Sequence, residues 1–128
     1  MNSRIFSRLA ISAVLVVAGH FVGGCASGAA EESQQVTYTA TPEEARRLAS
    51  TDPVDSGPLQ LYMNGLSCPL CATSVDQQID NLPGTSDVRV DLKSGVVRVW
   101  IEGKERPSPK ELAEAADRAG VTLVKITR

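Results

Sequence analysis

Residues 59–82 read LQLYMNGLSCPLCATSVDQQIDNL, and the spacing of their apolar side chains changes halfway along. Leu59, Leu61 and Met63 alternate with Gln60 and Tyr62, which places them on one face of a strand. Asn64-Gly65 interrupts that pattern. Beyond Cys68 and Cys71, the residues Ala72, Val75, Ile79 and Leu82 recur at three- and four-residue intervals, the spacing of one helix face. Pro83-Gly84 then ends the helix. A strand thus passes directly into a helix across a Cys-Pro-Leu-Cys junction.

The downstream chain continues in the same manner. Val88, Val90 and Leu92 alternate with Arg89 and Asp91, and Lys93-Ser94-Gly95 supplies a turn with a glycine at its end. Val97, Val99 and Ile101 form the returning strand. Ser108-Pro109-Lys110-Glu111 has the spacing of a capping box, in which the serine and the glutamate each satisfy a free backbone N–H at a helix start. The helix it opens carries Leu112, Ala115, Ala116 and Ala119 on one face, and Gly120 closes it. Val121 to Ile126 is a final β-branched strand. The order βαββαβ over 59–128 predicts an α+β, ferredoxin-like fold: a four-stranded antiparallel sheet with both helices on one face. Burying each Val or Leu contributes about 1.5–3 kcal/mol, so this set of alternating residues suffices for a small core. Tyr62, Arg98 and Trp100 are expected on the opposite, open face of the sheet.

Upstream, the chain changes character. Arg4 and Arg8 precede an apolar run from Leu9 to Val22, and Gly23-Gly24 leads into Cys25. A charged start, a short apolar run and small residues are the marks of a secretory leader. The run is shorter than the ~20 residues that span a bilayer. Val22-Gly23-Gly24-Cys25 resembles the bacterial lipobox. That resemblance implies removal of residues 1–24, lipid on the Cys25 sulfur and membrane attachment through the lipid anchor. Ala26, rather than Asp, follows the cysteine, which by resemblance favours the outer membrane, with the protein facing the periplasm. Residues 25–58 read as a lipid-anchored flexible tether rich in Gly, Ala, Ser and Gln, with a coil reach of roughly 30 Å. Within it, Thr41-Pro42-Glu43-Glu44 is a second capping box, able to open a short helix to about Ser50.

Loss of the leader would narrow the chemistry. The single histidine, His20, goes with it, as do Arg4 and Arg8; no acid is lost, so the formal net charge moves from −2 to −4. No basic stripe remains for nucleic acid. Without histidine, Ser-His and Cys-His nucleophile pairs and His-rich zinc sites are excluded, and the protein is expected not to be an enzyme. Of three cysteines, one is assigned to lipid and two thiols remain, Cys68 and Cys71. At a strand–helix junction these sulfurs sit side by side, with Pro69 at the first helical position and the helix N-terminus favouring thiolate. Two thiolates and no third ligand suit soft d¹⁰ ions that accept low coordination: Cu(I), Ag(I) or Hg(II), with Cu(I) first. Structural zinc takes four ligands.

Residues 59–128 also resemble the heavy-metal-associated domain of copper chaperones, copper-pump N-terminal modules and periplasmic mercury-binding proteins. The motif is Gly65-Leu66-Ser67-Cys68-Pro69-Leu70-Cys71, and Leu82-Pro83-Gly84, Val88-Arg89-Val90-Asp91 and Ala119-Gly120 match elsewhere. The resemblance implies metal ligation by Cys68 and Cys71, loop support from Gly65, Leu66, Ser67 and Pro69, and a metal-donor or metal-acceptor protein as partner. It further implies scavenging or transfer of the ion. Leu66 stands where the family usually has Met, a nearly volume-conserving exchange. Ser67 stands where zinc- and cadmium-preferring members often carry Asp. Val121 stands where copper and mercury modules commonly carry Tyr or Phe. Two other readings stay open on the sequence. Thiols outside the cytoplasm tend to be oxidised, so a thiol–disulfide redox module is one. A partner-binding module using Trp100, with an incidental cysteine pair, is the other.

Overall fold

The computed structural model describes residues 35–128. In chain order these form α1 (Pro42–Leu48), β1 (Gly57–Asn64), α2 (Pro69–Asp80), β2 (Thr85–Asp91), β3 (Val96–Ile101), α3 (Pro109–Arg118) and β4 (Thr122–Thr127). The leader and Cys25 lie outside the described residues. The four strands make one sheet in the order β2-β3-β1-β4, antiparallel at every pairing. This is the ferredoxin-like arrangement that the alternating and helical periods predict.

Register explains the core. Leu59 pairs with Val99 and Leu61 with Val97, so these residues share the face that meets the helices. Val75 and Ile79 of α2 and Leu112, Ala115 and Ala116 of α3 close over them, and all are buried. The opposite face carries Gln60 against Arg98 and Pro58 against Trp100. Trp100 is 47% exposed, as an open face requires, whereas Tyr62 is half-buried. Tyr62 is covered by the ring of Tyr38, edge-on at 5.1 Å, and by the Lys125 ammonium 4.5 Å from its centroid.

Two stretches differ from the sequence reading. The edge strand β2 begins at Thr85, ahead of Val88, because a bulge between Ser86 and Arg89 carries Asp87 at φ 46° and throws the alternation out of step. Asp87 tolerates that conformation better than most residues, and its carboxylate accepts from the Arg89 Nε at 2.9 Å. The second stretch is residues 38–56, read as part of a tether. Here α1 forms with both halves of its capping box, and the chain after it returns along the domain. Ser50 O accepts from Lys110 N at 3.2 Å and Val54 N donates to Pro107 O at 2.9 Å, while Leu48 and Val54 pack against the core. Scattered apolar residues in a polar stretch have no period to announce them, yet Leu48 and Val54 both reach the core.

The box at α3 joins a buried serine to an exposed glutamate. Ser108, 5% exposed, accepts from Glu111 N, and the Glu111 carboxylate accepts from Ser108 N at 2.7 Å. Replacing Ser108 with Ala should cost about 1 kcal/mol at pH 7, read as a lowered urea midpoint. The Ser108 N–H, and secondarily its hydroxyl, hold the Glu111 carboxyl below the usual range. A carboxyl lowered on folding stabilises the fold above its unfolded pKa, and that contribution is lost as pH falls through the folded value. The stability gap between the native chain and Glu111→Gln should therefore be present at pH 7 and shrink in acid below roughly pH 4.

Candidate metal centre

The site begins where β1 stops. Asn64 is the last residue of the strand, and Gly65 follows at φ 88°, in the left-handed region where a side chain is strained. That torsion turns the chain away from the sheet toward α2. A Cβ on Gly65 would sit 3.7 Å from Gly120 O and from the Val121 Cα, so the loop lies against the α3–β4 connection. Leu66, 1% exposed, plugs into the core and pins the middle of the loop. Ser67 is exposed and donates its N–H to Gly65 O at 3.0 Å.

Cys68 is the N-cap of α2, with extended backbone at φ −137° and ψ 153°. Its Sγ accepts from Cys71 N at 3.1 Å, taking the place that a serine or aspartate oxygen takes at other helix starts. Pro69 fills the first helical position, where the missing N–H removes nothing. Cys71 lies one turn on, half-buried and packed against the core, with its Cα 5.2 Å from that of Cys68. In this structure the two sulfurs are joined as a disulfide. Leu70, between them, is 76% exposed and leaves the mouth of the site open.

The structure thus assembles the residues singled out in the sequence. Cys68 and Cys71 come together on one helix end, and Gly65, Leu66, Ser67 and Pro69 form the loop that delivers them. Among the described residues, no group of three or more His, Cys, Asp or Glu side chains is placed to share an ion. The donor set is two sulfurs, which fits a soft ion of low coordination and not a four-ligand structural zinc site. Val121 is buried at 3% exposure, so it gives the site an apolar flank without a ring or charge. The sequence reading did not find Tyr38, which bonds to Asn64 through both of that residue's amide atoms. A tyrosine 26 residues upstream, outside any apolar period, gives no local signal.

A heavy-metal-associated domain model matches residues 60–121. Copper chaperone CopZ of Bacillus subtilis (strain 168) is 32% identical over 65 residues, which cover 51% of this chain and 93% of that protein. Among solved structures, a CopZ metallochaperone superposes with a TM-score of 0.48 at 24% identity, covering 52% of this chain and 98% of the other. The N-terminal domain of PacS from Synechocystis PCC6803 gives a TM-score of 0.47 at 24% identity, covering 56% and 97%.

Proposed function

The chain belongs to the heavy-metal-associated domain family, and from that premise we propose that it carries a soft metal ion, Cu(I) first, between Cys68 and Cys71. The observation that carries this reading is the pair of sulfurs at the exposed N-terminus of α2, one capping the helix and the other a turn later. The relative from Bacillus subtilis is named as a copper chaperone, which supports copper over silver or mercury.

The proposed role is non-catalytic. An incoming partner thiolate would add to the carried ion as one of the two cysteines departs, and a second partner ligand would displace the other, so the ion moves by stepwise ligand exchange. The open flank at Leu70 and Ser67 gives the partner access. Loading first requires opening of the Cys68–Cys71 disulfide: two electrons and two protons from a thiol reductant give two thiols, and the reductant leaves as its own disulfide.

The leader and lipobox complete the proposal: the protein is an envelope lipoprotein held to the outer membrane through Cys25. Among the described residues, the segment ahead of α1 bonds through Tyr38 to Asn64, beside the loop that carries the cysteines.

Titrating the reduced full chain with Cu(I) against a chromophoric chelator tests the core of this reading. One equivalent retained is the expected result. The disulfide favours one second reading, thiol–disulfide exchange. Catalysed reduction of a model disulfide, with no Cu(I) retained, would replace the carrier reading with that one.

A further inference from the structure

The geometry points to a clasp between Tyr38 and Asn64 that sets the position of the metal loop, which makes Asn64 a positioning residue for metal binding. The inference rests on the carrier reading above, since it concerns how the two sulfurs are held for their ion.

Asn64 spends its whole side-chain amide on Tyr38. Oδ1 accepts from Tyr38 N at 2.8 Å, and Nδ2 donates to Tyr38 O at 2.8 Å. Only one orientation of the amide satisfies both bonds, so the side chain is fixed in rotation as well as position. Tyr38 is itself held by three further contacts, one to β1 and two to the β2–β3 turn. Its hydroxyl donates to Ser94 O in the β2–β3 turn, its ring meets Tyr62 edge-on, and it lies beside Gly95. Gly95 is required there twice over. It adopts φ 67°, and a Cβ on it would fall 2.8 Å from Met63 O and 3.6 Å from the Tyr38 ring. The clasp therefore ties the end of β1 to the β2–β3 turn through a residue that lies outside the βαββαβ unit.

Position along the chain gives the clasp its consequence. Gly65, Leu66 and Ser67 alone separate Asn64 from Cys68. Gly65, at φ 88°, is the residue with the widest torsional freedom in that span. Fixing the residue just before it decides the direction in which the loop departs. Leu66 in the core then fixes the loop from its other side. Two ligands bind an ion tightly when their separation is set beforehand, because ordering them on binding is a cost taken from affinity. Groups that orient metal ligands without touching the ion typically change affinity by about 10–100-fold when removed.

The test compares reduced full-length chains carrying Asn64→Ala, Tyr38→Ala and both changes. Cu(I) retention is measured against a chromophoric chelator well below the unfolding temperature. Asn64→Ala should weaken retention by about tenfold, at the lower end of that range. Tyr38→Ala keeps the backbone atoms that Asn64 bonds and removes only their anchor on Ser94 and Tyr62, so the double variant should be no weaker than Asn64→Ala alone. Amide exchange at Ser67, Cys71 and Ala72 should speed up in Asn64→Ala while Leu61 and Val99 stay protected. Ser108→Ala, which lowers stability at a distant cap, should leave retention unchanged. Equal retention by the native chain and Asn64→Ala, or single effects that add in the double variant, would overturn the clasp. Should the native chain retain no Cu(I), the carrier reading fails and amide exchange alone decides: unchanged loop protection in Asn64→Ala sinks the clasp too.

Discussion

Reduced protein carrying Cys68→Ser is expected to lose Cu(I) affinity by more than 100-fold, because removing a supporting partner typically costs about 10–100-fold and Cys68 is proposed as a ligand itself. A serine hydroxyl is a hard, neutral oxygen at pH 7 and gives a soft cation little in exchange for a thiolate. The same substitution should leave the fold intact. Cys68 is the N-cap of α2, where its Sγ accepts from Cys71 N, and serine is among the best residues at that position. Binding and stability should therefore separate in a single variant: a collapsed competition titration beside an unchanged or slightly raised urea midpoint. Cys71→Ser should match it in binding but not in stability. Cys71 is half-buried and packs against the core, so a hydroxyl placed there is partly desolvated. Retention of Cu(I) by Cys68→Ser within threefold of the native chain would remove the thiolate pair from the reading.

The contrast between those two cysteines shows how far the sequence carries. That the pair opens a helix was legible from Pro69, from the strand period before it and from the helical period after it. The same local rules reached α3, whose capping box spells out its own start, and the β2–β3 turn, whose Gly95 has positive φ as expected. They failed where a residue acts across the chain. The Asp87 bulge inserts a residue that a period-two reading cannot absorb, so the alternation starts at Val88 although the strand starts at Thr85. Tyr38 reaches Asn64 through backbone atoms, and any residue type presents those, so its side chain could not have revealed the contact. Burial differences between the cysteines likewise depend on packing from distant elements.

Gly84→Ala should be among the most destabilising single-methyl changes in this domain, at about 2–5 kcal/mol, from two separable causes. The first is conformational. Gly84 sits at φ 75°, where an L side chain costs roughly 1–2 kcal/mol. Gly103 sits at φ 87° with nothing within 4 Å of an added Cβ, so Gly103→Ala measures that cost alone. The second is steric. A Cβ on Gly84 would fall 2.1 Å from Glu105 O and 2.6 Å from Glu102 O, both backbone atoms that cannot rotate away. Moving them means moving the segment that leaves β3, and with it the Gly84 O bond to Glu102 N at 2.9 Å. The disturbance then passes to buried Pro107 and Ser108 and so to the cap of α3. Overpacking of this kind adds about 1–3 kcal/mol. For a domain this size each kcal/mol corresponds to roughly 4–8 °C in Tm, so Gly84→Ala should melt well below Gly103→Ala in a thermal scan. Equal melting of the two would mean that the β3–α3 segment yields freely, and the tight crossing over Gly84 would no longer account for its glycine.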